Sequence, residues 1–219
     1  MFSQHLFNGF RKPRISQNVT RRVATIPRTI VGGTFSTFWG AIGKEKGKEM
    51  DFLELAKMRY SCKNFANTPV KKEQLEKILE AGRLAPTAKN NQPQHIYVLS
   101  SEDSLALTDQ ITPCRYGAPV VLVIAHDKNN VFEYPGGVYN SGAEDAAIVA
   151  THIVLAAKEV GLDTCWLNFF DPDKAKALLG LPDNEIATIL IDVGYPGPSA
   201  KPLPNHESRK PLSEMVTYR

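Results

Sequence analysis

The chain has 219 residues, enough for one sizeable domain, and 42% of them are hydrophobic. Its net charge of +3 is unevenly placed: residues 1–49 hold nine Lys or Arg and two Glu, a balance of +7, which leaves residues 50–219 at −4. The basic excess therefore belongs to the N-terminal extension and does not argue for nucleic-acid binding by the domain. Three cysteines, Cys62, Cys114 and Cys165, are an odd number without C-x-x-C spacing, so neither a disulfide framework nor a zinc site is expected.

Residues 1–44 contain no Asp or Glu and seven Lys or Arg, with many Ser and Thr, the composition of a mitochondrial-type targeting segment. The expected address is the mitochondrion or a related organelle; without an address the protein would be cytoplasmic. The uncharged run Thr29–Gly43 is 15 residues long, too short for a firm membrane span. Phe35, Phe38, Trp39 and Ile42 form an apolar stripe within it. Residues 43–49 read as a charged linker, and the folded domain is expected over 50–219.

Asp51–Lys57 reads as a short amphipathic helix with Phe52, Leu55 and Ala56 on one face. Arg59, Ser61 and Lys63 then follow at alternate positions. In an extended chain alternate side chains point the same way, so two cations and a hydroxyl could converge on one anion. An Arg fork suits a phosphate, and Ser adds a neutral donor.

Lys72–Arg83 is an amphipathic helix with Leu75, Ile78, Leu79 and Gly82 on one side. In Ala85–Gln94, Pro86 and Pro93 bracket a loop whose Thr87, Asn90, Asn91 and Gln92 are uncharged hydrogen-bonding groups suited to a polar heterocycle. His95–Ser100 reads as a strand, Ser101–Gln110 as a short helix, and Pro119–Ala125 as a strand buried on both faces. Residues 127–140, with Pro135-Gly136-Gly137, read as loop. Ser141-Gly142-Ala143-Glu144 has the capping-box pattern, and Ala146–Val160 is the longest apolar helix, expected to be central or at an interface. Thr164–Phe169 reads as a strand. Asp171 is a cap with Pro172 at the first helical position, and Gly180 ends that helix. Ala187–Val193 is a further strand. Pro196, Pro198, Pro202 and Pro204 make the end an extended arm. Helices and strands mix without strict alternation, so the class is α+β, a central mixed sheet covered by helices.

R-Y-S-x-K-x-F over Arg59–Phe65 and A-P-T-A-x-N-x-Q-P over Ala85–Pro93 lie about 20 residues apart. With Gly117-Ala118-Pro119, the helix from Leu155 to Leu162, Trp166, Gly194-Tyr195-Pro196 and Ser208-Arg209-Lys210-Pro211-Leu212, they make the chain from about Met50 to Val216 resemble the FMN-dependent nitroreductase family. The resemblance implies a mainly antiparallel sheet and an intertwined homodimer, with FMN pockets built from both chains. It implies that Arg59, Tyr60 and Ser61 bind the cofactor, with Arg59, Ser61 and Arg209 holding the phosphate. Lys63 matches the position facing the N1/O2 edge of the ring, where hydride arrival leaves negative charge. Pro86, Thr87 and Asn90 would contact the flavin from the partner subunit, and Leu167 and Asn168 correspond to the segment whose backbone lies near N5. Family members often carry a basic residue two positions before the final Arg; here Glu207 stands there, and its charge repels a phosphate.

The resemblance implies ping-pong hydride transfer from NADH or NADPH through FMN to a small acceptor of the nitroaromatic or quinone class. Two alternatives stand beside it: a non-catalytic FMN-binding or redox-sensing protein, and a reductase of the same fold acting on an enone or a carbon–halogen bond. There is no G-x-G-x-x-G fingerprint to choose between the nicotinamides. His95, His126 and His152 read as structural, Glu144 and Asp145 as cap and surface, and no metal is expected.

Overall fold

Apolar runs too continuous for a half-exposed strand form the middle of a four-stranded sheet in the computed structural model, which describes residues 51–219. The strands are β1 (Gln94–Leu99), β2 (Val120–Asp127), β3 (Asp163–Leu167) and β4 (Glu185–Gly194). Their order is β1-β2-β4-β3, and each neighbouring pair is antiparallel. The one parallel pairing among the described residues is an isolated bridge between Ser61 and Thr164, which lays the chain after the first helix along the outer edge of β3.

Helices cover both faces. α1 (Phe52–Met58), α2 (Lys72–Arg83), α3 (Glu102–Ile111), α4 (Gly142–Glu159), α5 (Pro172–Leu179) and α6 (Leu212–Met215) complete the fold. The period of two divides the core. Leu122, Ile124, Ile189, Ile191 and Val193 face one way and pack with Ile78 of α2 and Val149, Ala150 and Ile153 of α4. Val121, Val123 and Leu190 face the other way, toward Leu105 and Ile111 of α3 and Ala175 and Leu178 of α5. The fold is thus α+β, as expected.

Three of the short motifs serve this architecture. A Cβ on Gly194 would stand 2.7 Å from Pro119 Cδ and 3.1 Å from Phe65 Cδ1. Phe65 donates its N–H to the Tyr116 carbonyl, and Ala66 donates to Tyr195. The motifs around residues 65, 118 and 195 therefore interlock at one end of the sheet.

Several local expectations are corrected. Ser141 does not cap α4: its backbone is already in the right-handed helical region, its side chain makes no cap bond, and the helix starts at Gly142. A true capping box appears at Ser101 with Ser104 instead. Phe52 remains exposed on α1 while Leu55 and Ala56 are half-buried. β3 stops at Leu167, so Asn168 and Phe169 lie beyond the strand and are exposed. The terminal arm ends in the short helix α6. The expected targeting segment, the stripe at Phe35, Phe38, Trp39 and Ile42, and the domain start at Met50 lie outside the described residues. Among the described residues, no helix is long and apolar enough to cross a membrane.

Candidate functional site

Asp51 caps α1 by accepting from Leu53 N at 2.7 Å and Glu54 N at 3.0 Å, and the helix runs out at Arg59, whose φ/ψ of −67°/126° is extended. Cys62 N then donates to the Thr164 carbonyl at 2.9 Å. Tyr60 and Cys62 point into the core, whereas Arg59 and Ser61 are half-buried and Lys63 is exposed. The alternation is present, but of Arg59, Ser61 and Lys63 only Arg59 lines the cavity against β3 and α4, and Tyr60, expected beside the cofactor, packs in the core instead.

Arg59 lines a cavity of about 330 Å³ together with Thr164 and Trp166 of β3 and Thr151, Val154 and Leu155 of α4. A guanidinium and two hydroxyls meet an indole and two aliphatic side chains there. Behind it, Lys158 Nζ pairs with Asp163 Oδ1 at 2.6 Å and lies 5.3 Å from the Tyr60 ring centroid. Burial and hydrogen bonding to Asp163 raise the Tyr60 hydroxyl, so it stays a phenol. Burial raises the Cys62 thiol and pushes Cys165 up to about 12. Both therefore stay protonated near neutrality, which makes them poor nucleophiles. Lys63 Nζ sits 5.6 Å from the Tyr116 ring centroid. Among the described residues no group of His, Cys, Asp or Glu could hold a metal ion.

The second motif lies elsewhere. After Thr87 the chain makes one 3₁₀ turn, Ala88–Asn90, and Lys89, Asn90 and Gln92 take φ of 52°, 56° and 52°. Three left-handed residues that are not glycine mark backbone held by its surroundings rather than by local preference. Those surroundings are named contacts. Gln92 N donates to Thr87 Oγ1 at 3.0 Å, and Ala88 N donates to Asp145 Oδ1 at 2.8 Å. Asp145 is in the first turns of α4, while the Arg59 cavity uses Val154 on the same helix; nine residues of rise separate them by about 14 Å. Pro86, Thr87 and Asn90 of the same chain do not line the Arg59 cavity.

Leu167 is in the core and can offer a ligand only its backbone. Asn168 accepts from Trp166 Nε1 at 2.5 Å, which fixes the indole over the cavity. Arg209 is not placed beside Arg59. It lines a separate cavity of about 320 Å³ with Lys57, His206 and Glu207, and its Nη1 donates to the carbonyls of His206 at 2.5 Å and Ser208 at 2.7 Å. His206 Nε2 bonds the Lys57 carbonyl at 3.0 Å, so this cavity adjoins the end of α1 that also carries Arg59. Sequence reasoning passed over Thr151 and Leu155, although their spacing of four on α4 was a readable helix face. It also placed Asp145 as a cap or surface group; it is 1% exposed and bonded on both oxygens.

The model of the nitroreductase family matches residues 56–115 and 112–195, well over half of the chain. A nitroreductase family protein of Clostridium difficile 630 is 36% identical, with a TM-score of 0.72 over 77% of this chain and 98% of that one. An FMN-dependent nitroreductase of Clostridium difficile R20291 is 26% identical, with a TM-score of 0.58 over 72% of this chain and 98% of that one. An NADH dehydrogenase of Thermus thermophilus is 26% identical over 205 residues, covering 78% of this chain and 97% of that one. The chain belongs to the nitroreductase family, and it is an oxidoreductase of that family.

Proposed function

We propose that the protein is a homodimeric, FMN-dependent oxidoreductase that draws reducing equivalents from NADH or NADPH and reduces a small acceptor of the nitroaromatic or quinone class. The observation that carries this reading is the cavity at Arg59. Its guanidinium offers a phosphate paired, charge-assisted donors, the Thr151 and Thr164 hydroxyls add neutral ones, and Trp166, Val154 and Leu155 form an apolar wall. That donor set fits FMN, and one relative of this chain is named an FMN-dependent nitroreductase. When bound, FMN supplies two-electron transfer between the nicotinamide and the acceptor.

The chain's own residues bind and bias. Arg59 and Ser61 hold the phosphate end. Lys63 supplies a fixed positive charge at the ring edge that becomes negative on reduction. The Trp166–Asn168 bond keeps the wall in one orientation. Thr87 and Asn90 reach the site from a second copy. That assignment is supported by their distance along α4 from Arg59 and by the half-exposed apolar stripe Ala147, Ile148 and Leu155 on that helix. Exposed Phe52, Leu53 and Met58 on α1 and Leu212 and Met215 on α6 add apolar surface for the same contact. Mild acid release should yield FMN in about a one-to-one ratio to chain. Recovery of FAD or haem, or no flavin after reconstitution, overturns the reading.

A further inference from the structure

Asp145 lies at the fourth residue of α4, 1% exposed, where the helix N-terminus favours negative charge. Its two oxygens serve two different loops. Oδ1 accepts the Ala88 N–H at 2.8 Å, and Oδ2 accepts the Ser141 hydroxyl at 2.7 Å. Ser141 Oγ in turn accepts the Phe132 N–H at 3.0 Å, and the Phe132 ring lies 4.4 Å below Lys89 Nζ. Asn91 and Asn130 close the ring of contacts, each side-chain amide donating to the other's carbonyl at 3.3 and 2.8 Å. The loop with Thr87 and Asn90 and the loop of residues 127–141 are thus locked together around one carboxylate.

The lock has a mechanical consequence. Lys89, Asn90 and Gln92 all sit in the left-handed region, so the loop has little local reason to keep its shape. The Ala88 N–H is the bond immediately after Thr87, and it fixes how Thr87 is presented. His126 closes the remaining side: its ring packs against Gly142, its Nδ1 bonds Thr188 Oγ1 at 2.7 Å, and burial lowers it, so it stays neutral beside Asp145. We infer that Asp145 is the positioning residue that sets the flavin-facing loop from inside the fold, through its hydrogen bond to the Ala88 N–H. This inference rests on the proposed FMN site.

The test uses full-length apoprotein titrated with FMN, as wild type, Asp145→Asn and Asp145→Ala. Asn keeps an oxygen for the Ala88 N–H and can donate to Ser141; Ala keeps neither. FMN affinity should fall roughly tenfold to a hundredfold in Asp145→Ala and return to within about threefold of wild type in Asp145→Asn. Unchanged affinity in Asp145→Ala, or an equal loss in Asp145→Asn, overturns the inference. If wild type itself binds no FMN, the proposed function fails instead, and amide exchange then decides the positioning role alone. The Ala88 N–H should be protected in apo wild type and in Asp145→Asn, and exposed in Asp145→Ala where that variant folds. Rapid exchange in wild type overturns it.

Discussion

The backbone N–H of Cys62 meets the carbonyl of Thr164 at 2.9 Å. That bond sets the register of the chain against the edge of β3 and so decides which side chains turn inward. Tyr60 and Cys62 are committed to the core, and Arg59 is left facing α4. The phosphate site proposed here follows from that register, and so do distinct expectations for its two cations.

Arg59→Ala and Lys63→Ala should fail in different ways. A phosphate looks the same in oxidised and reduced flavin, so losing Arg59 removes a charge-assisted contact of about 1.5–3 kcal/mol. FMN affinity should drop roughly tenfold to a hundredfold with little change in reduction potential. Lys63 is proposed to face the edge where charge develops, so its loss should make the potential more negative and reduction slower at saturating FMN. FMN titration followed by potentiometry separates them. A Lys63→Ala protein with wild-type potential and weakened binding would make Lys63 a phosphate ligand.

Gly142→Ala should destabilise the fold. Alanine in a helix ordinarily gains about 0.5–1 kcal/mol over glycine. Here the new Cβ would stand 2.4 Å from His126 Nε2, and that ring is 7% exposed and tied to Thr188. Overpacking of that kind costs about 1–3 kcal/mol, so the clash outweighs the gain. Denaturant unfolding should show a lower midpoint; a higher one would mean that the ring moves aside freely.

Asp192 should give stability a pH slope. It is fully buried on β4, and neither carboxylate oxygen has a hydrogen-bond partner among the described residues. Burial pushes its carboxyl up to about 9 against a value near 3.8 in the unfolded chain, with Arg115 opposing part of the rise. Between those values the folded state holds the proton that the unfolded state releases. Stability from this group is therefore full below about pH 4 and is lost at about 1.4 kcal/mol per pH unit as pH rises toward 9. Asp192→Asn should remove that slope and be the more stable protein at neutral pH. Parallel stability curves for the two proteins between pH 5 and pH 8 would contradict this.

Removing residues 1–49 should leave a protein that still binds FMN, since the family match begins at residue 56 and the candidate site at Arg59. Flavin content of the truncated protein checks this. Loss of flavin would place the Phe35–Ile42 stripe within the functional unit.

What the sequence disclosed was what depends on near neighbours. Period two revealed the Arg59, Ser61, Lys63 alternation, and Asp171, Pro172 and Gly180 framed α5, whose cap accepts from Asp173 N and Lys174 N and whose end has φ of 65°. Pairings across long separations stayed hidden. The capping pattern at Ser141 was present, but Asp145 and Phe132 claim its hydroxyl. The Ala88–Asp145 bond spans 57 positions and the His206–Lys57 bond 149, and no local pattern announces either. The first hid the role of Asp145; the second draws Arg209 into a cavity of its own.

The most direct test of the central claim is anaerobic titration of the FMN-loaded protein with NADH and, separately, with NADPH. The account predicts that at least one nicotinamide bleaches the flavin absorbance near stoichiometrically, and that adding a quinone or nitroaromatic restores it. A bound flavin whose spectrum neither nicotinamide changes would contradict it.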